Sequence, residues 1–225
     1  MKNFLIVNFI LILLCSLLFE SLVTRFSDDV QKPNFLNFSS PWADSLIDIM
    51  SLEEKIGQLL IINANSYLGD KNYLDKVDSI ITNFGVGGLI YFKSNPSQIV
   101  KLTNRFQRIT KIPLINSIDA EWGLSMRIDS ILDLPWNLTL GAIKDDNLIY
   151  EMGSLIAIFM KKLGFHLNFA PVTDVNSNPE NPIISARSFG ENPKNVFEKS
   201  MAYFKAMDDN NILSCAKHFP GHGDT

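Results

Sequence analysis

Apolar residues recur along the chain in two alternating rhythms, short continuous runs and longer stretches at helical spacing. Pro41-Trp42 opens a helical segment that runs to Met50. Ser51 then starts a second helix, with Ser51 as N-cap and Glu54 three residues later forming a capping box. Leu59 to Ala64 reads as a first buried strand. Leu74 to Phe84 places Leu74, Val77, Ile80 and Ile81 on one helical face; Gly85-Val86-Gly87-Gly88 breaks it, and Leu89 to Phe92 follows as a strand. The same unit returns as a helix over 96–109 with a strand over 114–118, then 145–163 with 167–172, then 193–210 with 212–216.

Strands that are apolar on both faces and alternate with helices make a parallel sheet covered by helices, an α/β fold. Five strands, near residues 60, 90, 115, 169 and 214, would suffice for a doubly wound sheet, whereas a closed (β/α)8 barrel needs three more. The glycine-rich break at 85–88 precedes its strand instead of following it. A dinucleotide-binding fold therefore loses its main support.

The first residues break the rhythm. Phe4 to Phe19 is almost wholly apolar, with Lys2 before it and Glu20 after it. It falls short of the roughly 20 residues of a spanning helix and lies near the length of a signal-peptide core. Residues 1–20 are read as a signal peptide or membrane anchor, and 21–40, which mix Ser, Asp, Asn and Pro, as a tether. The chain is accordingly expected outside the cytoplasm, as a periplasmic, extracellular or membrane-anchored protein, with 41–225 as its domain. Leu14 stands where a lipoprotein site would want a small residue before Cys15. Cys215 is the one cysteine beyond the leader, so no intrachain disulfide is expected, and its apolar strand predicts a packing role. A net charge of −4 without a cluster of Lys and Arg argues against a nucleic-acid partner.

In such folds function collects where strands end. The strand near 115 leads into Asp119 and Glu121, with Arg127 further on. The strand near 169 leads to Asp174 and a long loop holding Arg187. The last one leads to Lys217 and His218, in a run that also holds His222 and Asp224. Carboxylates, cations and aromatics at neighbouring strand ends suit a polyhydroxyl ligand. Asp accepts from paired hydroxyls, Lys and Arg donate, and Trp122 or Phe219 offers a face to a sugar ring. Each has a plainer reading. Asp174 could brace its loop, Glu121 and Arg127 could form a loop ion pair, and Arg187 could tie down the long loop. His166, at a strand start, reads as structural. Pro220 and Gly221 rule out a helical pair of His218 and His222, so neither a metal nor a cofactor is expected.

Four segments, KHFPGHGDT at 217–225, NFAPVTDV at 168–175, ISARSFG at 184–190 and IDAEWGLSMR at 118–127, together resemble family 3 glycoside hydrolases. The likeness is to their bacterial β-N-acetylglucosaminidase branch and runs from about Pro41 to the end. It implies a TIM barrel, with about five of its eight βα units in these residues. It also implies retaining hydrolysis of terminal β-linked N-acetylglucosamine from glycans or cell-wall fragments. Asp119, Arg187, Lys217 and His218 match the residues that hold the sugar to be cleaved. The family pattern has a Gly-Gly pair after Glu121, and here Trp122 replaces the first glycine. The branch carries its acid/base histidine in an Asp-Ser-His run beyond the Gly-Asp-Thr and its nucleophilic aspartate on a later strand. The 225 residues are thus expected to be a truncated, substrate-gripping part with no catalytic group among them. A family 3 β-glucosidase and a non-catalytic sugar-binding protein are the competing expectations.

Overall fold

Five short strands pair in chain order, each parallel to the one before it: β1 (Ile61–Asn63), β2 (Gly88–Tyr91), β3 (Ile115–Ile118), β4 (Leu167–Asn168) and β5 (Leu213–Ser214). The computed structural model in which they are seen describes residues 39–65 and 70–224. The apolar leader at 1–20 and most of the tether lie outside the described residues. Among the described helices none is long and apolar enough to cross a membrane. A doubly wound sheet reverses its strand order at a switch point, and this one does not. The unbroken order is the winding of a TIM barrel, so the fold is α/β of TIM-barrel type.

The chain divides into two units, 1–50 and Ser51–Thr225. The first contributes α1 (Pro41–Ile49), capped by Ser40 Oγ, which accepts from the Ala43 amide at 3.3 Å. The second carries α2 (Leu52–Gln58), α3 (Lys71–Phe84), α4 (Pro96–Ile109), α5 (Asn137–Gly141), α6 (Asp146–Leu163) and α7 (Pro193–Asp209). The capping box forms as expected: Ser51 Oγ accepts from the Glu54 amide and Glu54 Oε2 from the Ser51 amide. Gly85 ends α3 in the left-handed region at φ 59°, where a glycine carries no Cβ penalty.

Helical spacing sets what each helix buries. In α4 the buried positions are Ile99, Leu102, Thr103 and Phe106, one stripe facing the sheet. Burying side chains of that size stabilises the fold by roughly 1.5–3 kcal/mol each. Helices α6 and α7 pack against each other, and Gly153 lets them approach; a Cβ there would sit 2.8 Å from Ala206 Cβ.

The strands are shorter than the apolar runs suggest. Leu59 belongs to the C-cap of α2, so β1 begins two residues later. Pro171 lacks an N–H, and beyond Asn168 the pairing with the last strand thins to bonds from Cys215 N to Ala170 O, Lys217 N to Pro171 O and Thr173 N to Lys217 O, with one isolated parallel bridge between Val172 and Lys217. The last strand is not buried as expected. Leu213 is 53% exposed and Cys215 partly so, because among the described residues β5 forms an edge of the sheet.

Candidate active site

The candidate residues gather at the C-terminal end of the strands. Lys217 Nζ lies 2.8 Å from Asp119 Oδ1 and 2.8 Å from Glu121 Oε1. Arg187 meets Glu121 as a fork, Nε donating to Oε2 at 2.9 Å and Nη2 to Oε1 at 2.8 Å. His218 closes the group, its Nε2 lying 3.5 Å from Arg187 Nη2. Asp119, Arg187, Lys217 and His218 are thus brought together, with Glu121 at their centre.

Glu121 is 1% exposed. Burial by itself would raise its carboxyl, but hydrogen bonds and charge from Arg187 and Lys217 hold it below the ordinary glutamate range. The same pairing raises Arg187, through its hydrogen bond to Glu121. Glu121 and Arg187 therefore stay ionised as a fixed pair of opposite charges.

The expected loop pair between Glu121 and Arg127 is not present. The planar guanidinium of Arg187 matches both oxygens of Glu121 and takes its place. Arg127 instead sets Nη2 3.3 Å from Asp119 Oδ2, with its guanidinium 5.2 Å over the Phe92 ring. Arg187 also donates from Nη1 to Ile183 O, so it ties down its own loop while serving the cluster. Asp174 is the brace. Its fully buried carboxylate accepts from the amides of His218 and His222 and lies 2.6 Å from His218 Nδ1. An imidazole that donates Nδ1–H to Asp174 turns Nε2 toward Arg187 as an acceptor.

Two positioning residues were given no role in the sequence reading. Ala120, between the two carboxylates, is clamped by Asn168 and Tyr203: its amide donates to Asn168 Oδ1 at 2.9 Å, and Tyr203 Oη donates to its carbonyl at 2.8 Å. Tyr203 is fully buried, and burial raises its phenol far above the ordinary value, so it remains a donor. The available signal was Asn168, a polar residue in an otherwise apolar run. A cleft of about 540 Å³ opens beside the cluster, lined by Asp174, His218, Phe219, Pro220, Gly221 and Asp224 among others. Of the cluster itself only His218 reaches it, so the cleft adjoins the charged group and does not contain it.

A parallel sheet wound in barrel order, with paired charges at the carboxyl ends of its strands, defines a TIM-barrel type protein with its site at the usual face. Residues 51–225 match the glycosyl hydrolase family 3 N terminal domain, and the chain belongs to that family. It is 33% identical over 201 residues to beta-hexosaminidase A of Pseudoalteromonas piscicida, across 78% of this chain and 34% of that protein. To beta-hexosaminidase LpqI of Mycobacterium tuberculosis it is 29% identical over 187 residues, 78% of this chain and 44% of the relative. A family 3 beta-N-acetylglucosaminidase from Paenibacillus sp. matches in structure with TM-score 0.70 and 36% identity, over 78% of this chain and 34% of the other. The beta-glucoside phosphorylase BglX matches with TM-score 0.76 and 25% identity, over 83% and 34%. The chain spans 34% to 44% of the length of these curated relatives.

Proposed function

We propose that this chain belongs to a β-N-acetylhexosaminidase that releases terminal β-linked N-acetylglucosamine from glycans or cell-wall fragments with retention. The observation that carries the reading is the Asp119–Lys217–Glu121–Arg187 network with His218 beside it. Its identity to relatives named beta-hexosaminidase points the same way. Asp119 accepts from a pair of sugar hydroxyls, while Lys217 and Arg187 donate to a hydroxyl or to the N-acetyl carbonyl. Because these groups are already held in place by one another, little ordering remains to be done when the sugar enters.

Retaining hydrolysis also needs a nucleophile and an acid/base group. Asp119, Glu121 and Asp174 are each engaged by cations or backbone amides, which fits gripping and charge placement instead of those two roles. In the full-length protein, Lys217→Ala is expected to lower kcat/KM for an aryl N-acetyl-β-glucosaminide by about 2–3 kcal/mol of transition-state binding, with the circular dichroism spectrum retained. Preference for the aryl glucoside would favour a β-glucosidase, and binding without turnover a sugar-binding protein. Turnover that requires inorganic phosphate would replace hydrolysis by phosphorolysis, the activity named for one structural relative.

We also propose that residues 1–20 carry the chain out of the cytoplasm, from their apolar run and the polar stretch after it. Fractionation of tagged protein tests this; a soluble cytoplasmic product that keeps Met1 would overturn it.

A further inference from the structure

Arg187 and His218 come from different loops, and one buried side-chain amide joins the backbone beneath both. Asn181 is 2% exposed. Its Oδ1 accepts from the amides two and three residues on, Ile183 and Ile184, at 2.8 and 2.9 Å. The carbonyls of the same two residues accept from Arg187, Ile183 O from Nη1 at 3.2 Å and Ile184 O from the backbone amide at 2.7 Å. On its other side Asn181 donates from Nδ2 to His222 O at 2.6 Å. The His222 amide in turn donates to Asp174 Oδ1, while Asp174 Oδ2 takes the His218 amide and lies beside His218 Nδ1. Hydrogen bonds and short pieces of backbone thus link the Arg187 guanidinium to the His218 ring by way of Asn181.

The backbone shows why such a brace is needed. Arg187 ends a single turn, Ser185–Arg187, in which Ser185 stands at φ 38°, a region that residues other than glycine seldom occupy. Strain of that kind persists only where the surroundings hold it. No side chain caps the turn, and the two bonds to Asn181 Oδ1 fix its entry instead. The histidine loop is held as closely. A Cβ on Gly223 would come 1.7 Å from Val175 O, and Gly223 O accepts from the Asn178 amide at 3.1 Å.

We propose that Asn181 is a positioning residue for the reaction: without touching the sugar, it sets the spacing of Arg187 and His218, the cation and the imidazole that meet it. This rests on the hexosaminidase reading above. Glu121 ties the Arg187 fork to the end of β3, and Asn181 ties the turn beneath that fork to the loop of His218. The two fixings together leave one arrangement of Arg187 Nη2 and His218 Nε2, which lie 3.5 Å apart. Hydrogen bonds weaken steeply off their geometry, so two groups that grip one ligand lose much of their effect when their spacing drifts.

The test is a double-mutant cycle in the full-length protein, read as kcat/KM for an aryl N-acetyl-β-glucosaminide at a temperature where circular dichroism shows every variant folded. Asn181→Ala should lower kcat/KM about tenfold, roughly 1.4 kcal/mol. In an Arg187→Ala background the same change should cost about threefold or less, because the guanidinium it positions is already gone. A residue that only supports the fold would cost the same factor in both backgrounds. That result, or an unchanged kcat/KM in Asn181→Ala, would overturn the proposal while leaving the hexosaminidase reading intact. If Asn181→Ala does not fold, Asn181→Ser carries the same cycle, since it keeps an oxygen for the two amides and gives up only His222. No turnover by the unsubstituted protein would count against the hydrolase reading instead. The cycle is then read as Kd for N-acetylglucosamine, with the same factors expected, and an absence of binding would overturn both.

Discussion

At the N-terminal end of the sheet the chain is closed by neutral groups over short reach. The Gly87 amide donates to the carbonyls of Gly57 and Leu60, and the Gln107 amide bonds both polar groups of Leu114. Asn116 Nδ2 donates to Gly164 O, and the Asn116 amide donates to His166 Nδ1 at 3.0 Å. Backbone lies so close there that a Cβ on Gly57 or Gly87 would come within 2.0 Å of a carbonyl oxygen. At the other end of the same strands stand Asp119, Glu121, Arg127, Arg187, Lys217, Asp174 and His218. Desolvating charges is costly, and well-packed apolar residues commonly do the structural task as well or better. The asymmetry therefore locates function: the neutral end shows what holding the strands together requires, and the charged end shows what is added to it.

Removing the centre of the charged end should have the largest effect. Glu121→Ala would leave Arg187 and Lys217 facing each other with only Asp119 to share. Breaking a buried pair from one side costs about 3 kcal/mol, at the low end of the usual range because both cations are partly exposed. Urea denaturation would read the loss, and saccharide binding should disappear with it. A variant as stable as the unsubstituted protein would break the comparison, since the charged end would then contribute nothing that neutral packing does not.

Much of this was legible in the sequence, and the gaps have physical causes. Each predicted strand exists, and the helices expected over 96–109 and 193–210 form as Pro96–Ile109 and Pro193–Asp209, with Asn95 and Asn192 as caps that the sequence reading had not named. Strand ends drew attention to Asp119, Glu121, Arg127, Asp174, Arg187, Lys217 and His218, and the resemblance to family 3 glycoside hydrolases narrowed these to Asp119, Arg187, Lys217 and His218. Their partners could not be read in the same way. Lys217 and Asp119 are 98 positions apart and Arg187 and Glu121 66, so only the winding of the sheet decides which cation meets which carboxylate. Glu121 therefore looked like a match for nearby Arg127. The clamp of Asn168 and Tyr203 on Ala120 was hidden for the same reason: Tyr203 lies on one face of a long helix and Ala120 carries no side-chain chemistry of its own. The short helix α5 has no side-chain cap and too few residues to show a period.

The smallest expected effect separates the two ends by pH. His166 Nδ1 accepts from the Asn116 amide, so the ring must be neutral with its proton on Nε2. Burial holds its pKa below the ordinary histidine value, although part of the residue stays open to solvent. The unfolded chain then binds a proton before the folded one does. Stability from this bond is fully present above about 6.5 and is lost as pH falls through the lowered value. Glu121 obeys the same sign in a lower window: its contribution is present above roughly 4.3 and is lost as pH falls through its own depressed value. Denaturation midpoints followed from pH 8 to 3 should thus fall in two stages, a shallow one from the neutral end of the sheet and a steep one from the charged end. His166→Gln, which can still accept from Asn116 but does not titrate, should remove the first stage and keep the second. If the first stage survives that substitution, the neutral end carries a titrating group other than His166, and the division of labour between the two ends is wrong.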